Sequence, residues 1–276
     1  MVFPLILSAS GCTAVRARAE PATDQVSATL SAALNDVEGF SALDVTRSKI
    51  ILHGVASGQA VRRQLWPDLD TEPSFDRFAI VDSTDLDPDE LQRQVTELAA
   101  VCPRGDYRIR VAAVTSSAHL TTVTCGDPGT AAVASLLNGR PLGDLSGPWT
   151  SASWQTLADE LVMLSPAGQM NSISIRDGRI SFTFSDADAS GTCQPIPWQA
   201  LDGQAATMLC WERGGSEEPM ALADLTGPAL YRAAQEAEER AGIAEGQGSW
   251  YLISSREGHP NLAASTESKF GEATIG

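Results

Sequence analysis

Four times along this chain, a stretch with helical apolar spacing is followed directly by strand-like runs. That recurrence restricts the fold more than any other feature, because each pair must bury a helix stripe against the alternating face of a sheet. The first helix is expected over 24–38, with Val26, Leu30, Ala33, Leu34 and Val37 on one face and Gly39 as the stop. "ALDVT", a turn at "RS" and "KIILHGV" then read as a hairpin. The second helix has the clearest start, "DPDELQRQVTELAAV". Asp87 stands at its N-cap, Pro88 opens it, and Glu90 is placed to bond back to the cap. Leu91, Val95, Leu98 and Val101 recur at helical spacing, and "YRIRVAAV" and "LTTVTC" follow as strands.

The third helix is "SWQTLADELVML", stopped by Pro166 and Gly168. It leads into "SISIRDGRISFTF", whose strict alternation around "RDG" predicts a tight hairpin. The fourth is "GPALYRAAQEAEERAG", followed by "SWYLISS" and a turn at "REGHPN". One more strand is expected before each even-numbered helix, at "FAIVD" and "ATMLCW". The pattern predicts an α+β protein of two similar lobes. Each lobe has about two helices packed on a largely antiparallel sheet, in the order α-β-β-β-α-β-β. The lobes are placed at 24–126 and 149–276, with the Gly- and Pro-bearing stretch 127–148 as a linker. "LWPDLD" and "PWQALD" recur at matching places, which suggests an internal duplication.

The chain has 276 residues and a formal net charge of −16, and both lobes are acidic. No basic half offers itself to nucleic acid, so no nucleic-acid partner is expected. The same charge repels an anionic bilayer, so contact with a membrane requires a tether.

The N-terminus supplies one. "VFPLIL" is a short apolar run, followed by small residues and then by Cys12. Ala9-Ser10-Gly11-Cys12 resembles the lipobox of a bacterial lipoprotein signal peptide. In that family cleavage falls before the cysteine and the thiol is lipidated. The resemblance implies a signal-peptide remnant at 1–11, a lipid on Cys12, and a flexible spacer at 12–23. It places the protein on the extracytoplasmic face of a bacterial cell membrane. An aliphatic residue usually stands where this chain has Ala9, and the basic start is missing, so further signal-peptide residues are expected upstream.

Setting Cys12 aside leaves Cys102, Cys125, Cys193 and Cys210, an even number suited to an oxidising compartment. Of the three possible pairings, the local one joins 102 to 125 and 193 to 210. The spacings contain no CxxC pair of the kind a structural metal site uses, and no metal or cofactor is expected.

A search for chemistry returns little. His53 stands at the end of a strand, His119 and His259 in hairpin turns, and none lies in a catalytic motif. The chain contains no GxSxG, HExxH, GxGxxG or P-loop pattern. "DADASG" at 186–191 imitates the opening of a calcium loop, but Pro197 occupies the position that needs a glutamate. Trp149, Trp154, Trp198 and Trp211 are expected in a core. Arg62, Arg63 and Trp66 form one small cationic-aromatic spot that could contact an anionic ligand.

Residues 24–65 also resemble a BON domain, a small bacterial envelope module. The shared features are a helix, two strands, a short "SG" turn and a polar helical stretch. That resemblance implies a non-catalytic envelope role. The expectation is an anchored binding or accessory protein with an envelope-protein or small-molecule ligand. The alternative is an extracytoplasmic hydrolase whose site assembles only in three dimensions.

Overall fold

The first helix stops sooner than its apolar spacing suggests. Residues 22–25 form one 3-10 turn, and α1 (Val26–Leu34) ends where Asn35 and Asp36 follow. Such side chains compete for backbone groups and disfavour a helix interior. Val26, Leu30 and Ala33 are buried, and Val37 is buried from the connection beyond the helix. The computed structural model describes residues 22–67, 70–73, 81–82, 86–102, 105–115, 118–126, 132–164, 168–176, 178–183, 194–196, 209–211 and 218–276.

The first lobe continues through β1 (Gly39–Thr46), β2 (Ile50–Ala56), β3 (Gln59–Trp66), β4 (Asp70–Pro73), β5 (Val81–Asp82) and α2 (Pro88–Ala99). It ends with β6 (Tyr107–Thr115), β7 (Ala118–Cys125), β8 (Ala134–Leu137) and β9 (Arg140–Pro141). These strands make one antiparallel sheet in the order β4-β3-β2-β1-β6-β7-β8-β9, with β5 beside the start of β1. Two stretches differ from expectation. The polar residues 59–66 are a strand, not a helical stretch, and the presumed linker 127–148 contributes β8 and β9 to the sheet. The reason is local in both cases. Ser57-Gly58 and Asn138-Gly139 take positive φ at both central positions, which folds the chain straight back as a hairpin.

The carboxylate of Asp87 accepts the N–H groups of Asp89 and Glu90 at 3.0 and 3.2 Å, which caps α2. Glu90 turns to Arg93 and Gln94. Leu91, Val95 and Leu98 are buried as expected, while Val101 falls past the helix end and is 49% exposed. Just beyond α2, Cys102 is bonded to Cys125 at the end of β7. A loop of that length stabilises by roughly 3 kcal/mol through the unfolded chain. All of Cys12 and Cys193 and the side chain of Cys210 lie outside the described residues, as does the 186–191 loop.

The second lobe contains α3 (Ser151–Leu164), β10 (Gln169–Met170), β11 (Ser172–Arg176), β12 (Arg179–Thr183), β13 (Gln194–Ile196), β14 (Leu209–Trp211) and β15 (Met220–Ala221). It closes with α4 (Gly227–Ala241), β16 (Trp250–Arg256), β17 (His259–Ser265) and β18 (Phe270–Thr274). Its main sheet is antiparallel, in the order β12-β11-β16-β17-β18. The Thr226 hydroxyl accepts from Ala229 N–H to cap α4, and Gly242 closes it at φ 66°. The helix lies so close to β18 that a Cβ on Gly271 would stand 2.1 Å from the Ala237 carbonyl oxygen. Trp149 and Trp154 fill the core against Tyr251, with centroids 5.8 and 5.3 Å from its ring. Trp198 and the side chain of Trp211 lie outside the described residues.

Strand alternation decides how the lobes meet. Leu43, Val45, Ile50, Leu52, Ile109 and Val111 face α1 and α2 in one core. Leu120 and Leu137 pair across β7 and β8, and together with Val114 and Ala118 they belong to the core of the second lobe. One end of the first sheet is therefore shared. The fold is α+β with helices over one face of each antiparallel sheet.

Candidate functional site

The face of the first sheet turned away from α1 and α2 is polar beyond its shared end. Asp44 lies opposite Ile51 on one side and Arg110 on the other. His53 is opposite Arg62, and Thr46, Arg108 and Thr124 form the next row. With Lys49 from the β1–β2 connection and Tyr107 from β6, these residues line an open groove of about 450 Å³. Among the described residues, four permanent cations and one carboxylate line the groove, in a protein of net charge −16.

Asp44 organises it. Its side chain is only 9% exposed. Its oxygens lie 3.3 Å from His53 Nε2, 3.3 Å from Arg108 Nη2 and 3.4 Å from Arg110 Nη1. Burial by itself would raise the Asp44 carboxyl. The hydrogen bond with His53 and the charges of Arg110 and Arg108 outweigh that and hold it below the usual carboxylate range. Asp44 is therefore ionised at neutral pH, and it draws the two guanidinium groups together over one point of the sheet. Arg108 and Arg110 remain 51% and 30% exposed. Guanidinium groups held side by side suit oxyanions, because each presents planar N–H donors to carboxylate or phosphate oxygens. The Asp44–His53 pair could also orient an imidazole for proton transfer. Among the described residues, the groove lining contains neither serine nor cysteine.

Of the three residues that the sequence offered as a ligand contact, the structure brings one into this groove. Arg62 lines it. Arg63, one residue on, points to the other face and lies 3.5 Å from Asp36 beside α1. Trp66 packs against the first core. The cationic-aromatic spot is thus divided between the two sides of β3. Among the histidines, His53 is the one in the groove. His119 sits within β7 rather than in a turn. Its backbone N–H donates to Asn138 Oδ1 at 2.8 Å, and burial lowers its ring pKa. His259 opens β17 and is exposed.

Asp44, Lys49, Arg108 and Arg110 were missed. The signal was present in "YRIRV" and "ALDVT", where charged residues alternate with core residues. Which charges meet depends on strand register, and spacing along the chain does not give it.

Two other buried carboxylates have different surroundings. Glu238 accepts the N–H groups of Gly246 and Gly248 and the Tyr251 hydroxyl, which pins the loop after α4. Glu160 on α3 is 3% exposed and accepts Gly143 N–H at 2.8 Å. Among the described residues no cation pairs with it, and burial pushes its carboxyl up to about 7. The loop lies close there, since a Cβ on Gly143 would fall 2.2 Å from Thr156 Cγ2. Among the described residues, no group of three or more His, Cys, Asp or Glu is placed to hold a metal ion. No described helix is long and apolar enough to cross a membrane.

No protein-family model matches the chain, and no curated protein matches its sequence. Among solved structures, sliding clamps overlap loosely with this chain. Proliferating cellular nuclear antigen from Entamoeba histolytica is 10% identical, with 93% of this chain and 95% of that chain covered at a TM-score of 0.19. The PCNA2–PCNA3 complex of Sulfolobus tokodaii gives 11% identity, 91% and 96% coverage, and a TM-score of 0.19. The DnaN sliding clamp of Pseudomonas aeruginosa bound to griselimycin gives 12%, covers 92% of this chain and 63% of that one, and scores 0.17. Overlap this poor assigns this chain no family and no role.

Proposed function

We propose that this chain is a non-catalytic binding or accessory protein of the bacterial cell envelope. It is anchored through a lipid on Cys12 at the extracytoplasmic face, and it holds an anionic ligand on the open face of its first sheet. One observation carries the binding reading. Lys49, Arg62, Arg108 and Arg110 surround a single groove in a strongly acidic protein. Cations gathered against the net charge focus the local field on an anion. The anchor rests on Ala9-Ser10-Gly11-Cys12, and the Cys102–Cys125 bond supports an oxidising compartment.

Thermal unfolding of the Cys12→Ser chain tests the binding reading, with phosphate, succinate and glucuronate added in turn, and glycerol and glucose as neutral controls. The expected result is a concentration-dependent rise in Tm with at least one anion and none with the neutral compounds. No shift with any anion would sink the reading. For the anchor, mass spectrometry of the membrane fraction should find diacylglyceryl on Cys12, and Cys12→Ser should release the chain. Continued membrane retention of that variant would contradict it.

The Asp44–His53 pair favours a second reading, hydrolysis of an anionic ester. Ester or phosphoester turnover that His53→Ala abolishes, with folding intact, would put that reading first.

A further inference from the structure

The groove's own carboxylate indicates what the groove is shaped to hold. Arg108 and Arg110 occupy successive outward positions on β6, and each reaches a different oxygen of Asp44. Their guanidinium groups therefore converge within the width of one oxyacid. Across the sheet Arg62 stands beside His53, and Lys49 flanks the Thr46 row. Asp44 is ionised and holds the pair, while Arg108 and Arg110 stay 51% and 30% exposed beside it. A monocarboxylate offers only two acceptor oxygens to those forks. Two carboxylates on separate carbons spread their charge, whereas the guanidinium pair concentrates its own.

We propose that the ligand is a phosphate monoester, its dianionic head received by Arg108 and Arg110 and flanked by Arg62 and Lys49. This inference rests on the anion-binding reading and names its ligand class. A phosphate head puts about two negative charges and three acceptor oxygens on one atom, which matches converging forks better than separated carboxylates do. The groove's volume of about 450 Å³ leaves room for a small organic body beside the head, at the low end of ligand-pocket sizes. Ile51 gives that body an apolar wall, and Thr46 and Thr124 border it with hydroxyls. Asp44 is a positioning residue here, because it holds the two arginines together.

Calorimetric titration of the Cys12→Ser chain with glycerol phosphate, inorganic phosphate, succinate and glycerol tests the class. A parallel arm titrates vesicles of neutral lipid with and without phosphatidate. The expected result is that glycerol phosphate binds about tenfold more tightly than succinate, that glycerol does not bind, and that Arg108→Ala with Arg110→Ala weakens glycerol phosphate about tenfold or more. Arg110→Lys keeps the charge but loses the fork, so it should weaken binding as well. Should the double variant unfold around Asp44, Arg62→Ala with Lys49→Ala is the substitute, and it too should weaken binding. Binding to phosphatidate vesicles but not to soluble glycerol phosphate would support the inference and place the head on a lipid. Succinate binding as tightly as glycerol phosphate, or groove variants that bind unchanged, would overturn the inference and leave the anion reading standing. Failure of every anion would overturn both.

Discussion

The two sheets are built alike and present different chemistry. Each carries two helices over one face of an antiparallel array. On its other face the first sheet shows Asp44, His53, Arg62, Arg108 and Arg110. The corresponding face of the second shows Ser172, Ser174, Ser254 and Ala263, and its charges are engaged: Arg176 lies over the Trp250 ring, Arg256 pairs with Glu272, and Trp250 Nε1 donates to Ser174 Oγ at 3.1 Å. The cavity that lies among Trp149, Arg176 and Gly248 measures about 60 Å³, room for a few waters. The layer arrangement therefore does not dictate a site. The site comes from what the outward positions of adjacent strands carry. A cationic face also needs something to hold like charges together, and in the first sheet Asp44 does this.

The comparison breaks most forcefully through the second core. Trp154→Ala removes a fully buried ring that packs on Trp149 and Tyr251, at a cost of about 3–5 kcal/mol. Leu120 and Leu137 of the first sheet share that core, so chemical unfolding should show one transition displaced as a whole. Two separate transitions would mean that the lobes are energetically independent. In the first lobe the matching device is covalent. Replacing both Cys102 and Cys125 by Ser should cost roughly 3 kcal/mol, read from the urea midpoint.

The buried carboxylates sharpen the contrast through opposite pH dependence. Glu160 has a folded pKa of about 7 against an ordinary 4.5, so the folded state holds an extra proton between those values. Stability should therefore fall as pH rises through that window and level off above it. Glu160→Gln should remove this slope and gain up to about 3 kcal/mol above neutrality. Asp44 has its folded pKa lowered, so its contribution is present above the ordinary value of 3.8 and is lost as pH falls through the folded one. Equilibrium unfolding measured across pH for each single variant separates the two slopes. The smallest effect comes from the helix caps. Asp87→Ala in the first lobe and Thr226→Ala in the second should each cost about 1 kcal/mol.

Helices and hairpins were legible in the sequence because their signals are local. Asp87-Pro88 marks the start of α2, and the "RDG" turn places Gly178 at φ 72°. The strand at 59–66 was not legible. Gln59, Arg62, Arg63 and Gln64 are polar, and the residues read as strand only because a Ser57-Gly58 turn returns them along β2. The groove was hidden for a related reason. A net charge of −16 says nothing about where the cations gather. Arg62 was singled out with Arg63 because they are neighbours in sequence, yet alternation sends them to opposite faces. Its real companions, Arg108 and Arg110, are more than forty residues away in the chain and are brought near through β2 and β1.

The most direct test maps amide chemical shifts of the isotope-labelled Cys12→Ser chain during titration with glycerol phosphate. Perturbations are expected at Asp44, His53, Arg62, Arg108 and Arg110, while Ser172, Ser174, Ser254 and Ala263 stay unmoved. Shifts confined to the second sheet, or no saturable shift on the first, would contradict the assignment of that face as the binding surface.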